Sequence, residues 1–131
     1  MNNWKYKIDV AHEGVFDEIE ATYGVKFGDA LKAFITNHNA ATPPKCRFMV
    51  GTTERIFGAV LSVNKNEPSV DSIYTALDVF KGKDLIPFAI DPFGNYICYS
   101  SATDTVVYCD CESDAIWSTE LKLSDFIASL Y

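Results

Sequence analysis

The sequence predicts an α+β fold: a mostly antiparallel sheet, including a C-terminal meander of four strands, with helices packed against it. Three observations point there. Apolar residues recur at helical spacing through residues 12–40. From Cys46 onward, short runs rich in β-branched and aromatic residues alternate with turn sequences. The last of these runs are joined by connections short enough to be hairpins, which only antiparallel neighbours accept.

Each element has a local cause. Over His12–Tyr23, Val15, Phe16, Ile19 and Tyr23 share one helical face, Glu13, Asp17 and Glu20 take the other, and Gly24 is placed to stop the helix in a left-handed cap. A second helix should start at Asp29 as N-cap, turn Leu31, Phe34 and Ile35 inward, and fray at "NHNA". After the breaker "ATPPK", the runs "CRFMV" and "RIFGAVLSV" read as paired strands around "GTTE". The polar stretch over residues 64–69 is a loop. Asp71 is then expected to cap a helix carrying Ile73, Leu77 and Phe80 and ending at Gly82.

The meander follows. In "DLIPFAIDPFGNYICY" the corner "DPFG" matches a type I turn, with Asp91 first, Pro92 second and Gly94 able to supply the positive φ of a hairpin bulge. "NYICYS" and "TVVYCD" are joined by "SATD", and "AIW" follows "CESD". Successive corners of a meander alternate between the sheet's two ends, so Asp91 shares an end with Asp110, Glu112 and Asp114, while Asp84 and Asp104 lie at the other. Alternation puts Ile97, Tyr99, Val106 and Tyr108 on one face and Tyr96, Cys98, Val107 and Cys109 on the other. Both faces are apolar enough to need cover. Ser124 is expected to cap a terminal helix that buries Phe126, Ile127 and Leu130.

Length and composition bound the rest. At 131 residues the chain fits one domain, residues 1–131, burying roughly two thirds of the surface its unfolded form exposes. The N-terminus lacks the continuous apolar core of a secretory signal, and no segment approaches the ~20 apolar residues of a membrane span. The expected compartment is the cytoplasm, where Cys46, Cys98, Cys109 and Cys111 would be reduced thiols.

Charge is distributed unevenly. The net charge is −7. Residues 1–83 hold ten residues of each sign; from Asp84 onward eight acids (Asp84, Asp91, Asp104, Asp110, Glu112, Asp114, Glu120, Asp125) face one base, Lys122. A phosphate backbone rewards clustered Lys and Arg, so nucleic acid is excluded as a direct ligand. A basic protein partner fits. The candidate partner-binding residues are Asp91, Asp110, Glu112 and Asp114 at one corner group, Asp104 at the opposite end, and the aromatic anchors Tyr99, Tyr108 and Trp117. Turn chemistry competes as an explanation for the acids, and for Asp91 taken alone it is the stronger one.

Catalytic and metal readings are weaker. Cys109 and Cys111 form one C-x-C with Cys98 on the neighbouring strand, whereas structural zinc sites use two ligand pairs, and cysteine is also a good small core filler. His12 and His38 have no nucleophile at a recognisable spacing. His38 near a helix end suits the negative end of the dipole. Carboxylate pairs in turns occur in most acidic domains and do not by themselves specify glycoside chemistry.

The order of motifs resembles the SUKH superfamily of Knr/Smi-like proteins. The stretches that carry the resemblance are "IEATYGVKFGDALKAFITNHNA", "LIPFAIDPFGNYICY", "VVYCDCES" and "LSDFIASL", the second being the most specific. Members often have proline before the second helix where this chain has Gly28, and an acid after the Gly-Asn strand where it has Ser100. The resemblance implies a SUKH-like α+β domain, without catalysis or cofactor, that binds a protein. That partner would be a cognate toxin domain, often a nuclease, or an endogenous partner of a regulatory or scaffold module. Apart from the resemblance, a third reading is that the protein is itself an uncharacterised hydrolase. A monomer or weak homodimer is expected.

Overall fold

The computed structural model describes residues 3–65 and 67–131; Asn66, within the loop expected over residues 64–69, lies outside the described residues. The element order is α1 (Val15–Tyr23), α2 (Gly28–His38), β1 (Arg47–Val50), β2 (Thr53–Ile56), β3 (Ala59–Val60), α3 (Ile73–Val79), β4 (Ile86–Ile90), β5 (Tyr96–Ser100), β6 (Thr105–Asp110), β7 (Ala115–Ser118) and α4 (Leu123–Ala128). One sheet has the order β3-β4-β5-β6-β7, every neighbouring pair antiparallel; a separate hairpin pairs β1 with β2. The fold is the α+β class the sequence predicts.

Several local expectations hold, and several shift by one or two residues. Gly24 adopts φ 69° and its N–H donates to the Glu20 carbonyl, closing α1. At the β4–β5 corner the Asp91 N–H donates to the Asn95 carbonyl (2.9 Å), and Gly94 takes φ 89°. The cap of α3 is Ser72 rather than Asp71: its hydroxyl accepts from the Tyr74 N–H, while Asp71 points to solvent. Likewise α2 follows Phe27, with Asp29 inside its first turn, and α4 follows Lys122, with Ser124 inside the helix; neither cap position makes a side-chain cap bond.

"NHNA" does not fray. Ala40 turns at φ 63°, and buried Asn39 accepts from the Val63 N–H (2.9 Å) and donates to the Ile8 carbonyl (3.1 Å). Asn64 adds bonds to Ala11 and Asp9, so two asparagines tie the N-terminal segment to the chain beyond β3. A buried amide must find such partners or forfeit its hydration.

The run "RIFGAVLSV" is not one strand. It breaks at Gly58, where β2 leaves the hairpin and β3 joins β4. A Cβ on Gly58 would stand 2.7 Å from the Ile90 carbonyl oxygen, and the Gly58 N–H donates to that same oxygen (2.9 Å). Pro87, buried in β4 and lacking an N–H, sits beside a bulge at Phe88, whose carbonyl accepts from Leu61 (2.9 Å).

Face alternation along the meander is as expected. Ile97, Tyr99, Val106 and Tyr108 enter the larger core together with residues of all four helices and the β1–β2 hairpin, including Phe16, Leu31, Ile35, Phe48, Ile73 and Phe126. On the reverse face Cys98, Val107 and Cys109 pack under Phe80, with Leu85 and Tyr96 at the margin. No helix among the described residues is long and apolar enough to cross a membrane.

Candidate functional site

The eight candidate residues separate into an inner and an outer group. Asp91, only 4% exposed, is inside. Its Oδ1 accepts from the Phe93 and Asn95 N–H groups (2.8 Å each), and its Oδ2 accepts from the Asn95 Nδ2 (3.1 Å) and the Tyr108 hydroxyl (2.7 Å). Turn chemistry therefore accounts for Asp91, and a partner-facing position does not. Tyr108 is buried too, its hydroxyl raised well above the ordinary phenol range by burial and then by the bond to Asp91. Tyr99 is buried and donates to Asp104, which, followed by burial, pushes the Tyr99 hydroxyl up to about 12. These three leave the surface, because the rest of the chain covers both faces of β5 and β6.

The outer group is the β6–β7 corner and the strand that follows it. Asp110 Oδ1 caps the corner, accepting from the Glu112 (2.9 Å) and Ser113 (3.4 Å) N–H groups, while Glu112 and Asp114 are exposed. Asn95 Oδ1 accepts from the Cys111 N–H (3.0 Å), so the first and third corners are joined at one end of the sheet, as the meander requires. Asp104 sits in the β5–β6 turn at the other end, exposed at φ 52°.

Among the described residues, no Lys, Arg or His nitrogen lies within 4.0 Å of a carboxylate of residues 84–131; the ion pairs Lys7–Asp9, His12–Glu18 and Lys32–Glu20 all lie in the first third. Lys83 lines the same shallow cleft as Asp110 and Asp114 without reaching either, and its ammonium sits 5.4 Å from the Phe80 ring centre. The acidic surplus is thus largely unneutralised by the rest of the chain.

Apolar groups border this acid. Trp117 is 40% exposed and stacks on Tyr108 with ring centres 6.3 Å apart. Three further residues carry no mark in the sequence analysis. Phe93 projects from the "DPFG" tip at 77% exposure, and Ile116 from β7 at 48%. Arg55 reaches over from β2 to lie 4.8 Å from the Tyr108 ring centre and 5.8 Å from that of Trp117, with its Nε buried and without a hydrogen-bond partner. The third turn position of "DPFG" would have found Phe93, since that side chain points away from both strands. Nothing local announces Arg55, which comes from the other sheet.

The thiols and histidines take structural positions. The Cys98 and Cys109 Sγ atoms approach to 3.6 Å inside the smaller core, and burial, then the Cys109 contact, pushes the Cys98 thiol well above its ordinary range. Cys111 is exposed in the corner. No group of three or more His, Cys, Asp and Glu among the described residues is placed to hold a metal. His38 Nδ1 lies 2.9 Å from the Phe34 carbonyl, its ring stacked on Phe34; His12 faces Glu18 at 3.5 Å. A cleft of about 490 Å³ between the ends of α1 and α3 contains one carboxylate, Asp84, three lysines, and no histidine or cysteine in its lining.

What the fold and site define is an α+β sheet-and-helix domain whose buried polar groups serve its own turns and whose exposed acids lie at both ends of the sheet, with Asp110, Glu112 and Asp114 grouped at the β6–β7 corner. The chain belongs to the SMI1/KNR4 family (SUKH-1), whose family model matches residues 11–129. No curated protein and no solved structure gives a significant match.

Proposed function

We propose that this protein is an immunity protein that binds a cognate toxin domain, with a nuclease the best-suited toxin class, and blocks its active surface by bulk and by charge. The observation that carries this reading is the unneutralised acid of Asp110, Glu112 and Asp114 beside the exposed side chains of Phe93, Ile116 and Trp117. Exposed apolar side chains edged by charge are the usual build of a protein interface. A nuclease surface shaped for a phosphate backbone supplies the matching cations. Such complementarity accelerates encounter, by roughly 10- to 1000-fold at low salt, and sharpens partner choice. The mechanism needs no cofactor and no bond-breaking step.

The breadth of the family supports a second reading, a regulatory module that engages an endogenous protein through the same surface. A toxin gene found beside this one, followed by co-expression with that toxin, separates the two. Rescue of growth by the wild type, together with loss of rescue and at least about tenfold slower association at low salt in Glu112→Lys/Asp114→Lys, supports toxin neutralisation. Toxin binding that is indifferent to salt and to the double reversal overturns the electrostatic mechanism. An isolated gene whose loss alters growth with no toxin present favours the regulatory module.

A further inference from the structure

The five-stranded sheet has two edges, and the chain treats them differently. At the β3 edge the outward Val60 N–H donates to the Ala41 carbonyl (2.9 Å), so the segment after α2 covers it. At the β7 edge no further strand pairs among the described residues. The ladder register pairs Tyr108 with Trp117 and Asp110 with Ala115, and the Thr119 N–H donates to the Val106 carbonyl (3.0 Å), two residues further along. Hydrogen-bonded pairs alternate in an antiparallel ladder, so the backbone groups of Ile116 and Ser118 point away from β6, along the free edge.

Proteins shield such edges by keeping them short or with lysine, proline or inward charge. Ala115–Ser118 is short, at four residues, but carries no lysine, proline or inward charge, and it presents Ile116 on one face and Trp117 on the other. Acids bracket it instead, Asp114 before and Glu120 after, both exposed.

We infer that the β7 edge is a docking site for an extended, basic segment of another protein, which adds to the sheet as a sixth, antiparallel or parallel, strand. This rests on the partner-binding reading above and gives its mode. The bracketing acids select the occupant. A second copy of this chain pairing antiparallel on β7 would bring Asp114 against the other copy's Glu120, and like charges facing across a pair of strands repel. A strand with Lys or Arg at both ends of an apolar, alternating centre meets the acids instead, over about 20 Å from residue 114 to residue 120. Arg55, beside Trp117, disfavours a cation at the strand's centre and leaves the ends as the places for charge. Backbone bonds would supply affinity, and the side chains flanking Ile116 and Trp117 would supply selectivity.

The test titrates the whole protein, labelled with nitrogen-15, with the peptide acetyl-KVTVTVK-amide and with the same peptide N-methylated at alternate bonds. The unmethylated peptide is expected to shift the Ile116 and Ser118 amides and slow their exchange, and methylation to weaken binding by about tenfold or more, the loss of two backbone hydrogen bonds. Ile116→Pro should do the same while keeping the fold, because its N–H does not serve β6, and Ser118→Pro provides a second variant if the first melts early. Equal binding of both peptides, proline variants that bind like the wild type, or shifts confined to residues outside β7 overturn strand addition. So does a wild-type dimer in sedimentation that Ile116→Pro abolishes. Salt-sensitive toxin binding lost in Glu112→Lys/Asp114→Lys would still stand in those cases, so the two proposals fail separately.

Discussion

Asp91 shows how one side chain can carry a corner. Its carboxylate accepts four hydrogen bonds, two from the turn backbone, one from the Asn95 side chain and one from the Tyr108 hydroxyl. Asp91→Ala strands a buried tyrosine hydroxyl and two turn N–H groups at once, and such losses cost about 1–3 kcal/mol each before relaxation. We expect about 3 kcal/mol or more of lost stability in urea unfolding, against less than about 1 kcal/mol for Asp110→Ala, whose cap is solvated. Equal losses would mean that the Tyr108 bond is idle. The turn role of Asp91 was legible in "DPFG", because turn preferences are local. That its carboxylate is buried was not, since the tyrosine that covers it comes from β6, 17 residues along. A still greater distance in sequence, from β2 to β6 and β7, hid Arg55.

At the scale of elements, the sequence placed the four helices and the meander, and it erred where a choice lay between neighbouring residues or within an unbroken apolar run. Ser72 takes the α3 cap from Asp71 because the chain enters that helix from the Ser62–Ser72 bridge, a tertiary pairing. "RIFGAVLSV" has a strand's composition throughout, and only packing splits it: Gly58 lies so close to β4 that no side chain fits. Gly58→Ala would drive a methyl against a backbone carbonyl that cannot retreat without dragging β4. An overpacking cost of about 1–3 kcal/mol is expected, read as a lower urea midpoint with an unchanged slope. A variant as stable as the wild type would show that β3 is free to shift. Gly24, in contrast, was readable in advance, since a helix that must end in the left-handed region selects glycine whatever surrounds it.

The whole molecule carries its charge as a surplus and not as a network. Ten bases balance ten acids before residue 84, and seven net negative charges follow. With the described ion pairs confined to the first third, the acids of the second half repel one another in the folded state. Stability should therefore rise as sodium chloride is increased from about 10 mM to about 150 mM, where screening shortens the reach of exposed charges to roughly 8 Å. The Glu112→Lys/Asp114→Lys protein should gain less from the same salt. Urea midpoints at both salt concentrations decide it: a midpoint that falls with salt would mean that attractive pairs outweigh the repulsion.

By itself the sequence determined the α+β class, the order of helices and meander strands, the two sheet faces and the charge asymmetry, because periodicity, turn chemistry and composition act within a few residues or simply add. Only the tertiary structure decided which acids and aromatics reach solvent. Asp91, Tyr99 and Tyr108 are taken inside by partners or packing from other elements, while Phe93 remains exposed at the β4–β5 corner and Ile116 and Trp117 at the uncovered β7 edge. Burial depends on what folds over a residue, and that is a property of elements brought together from far apart in the chain.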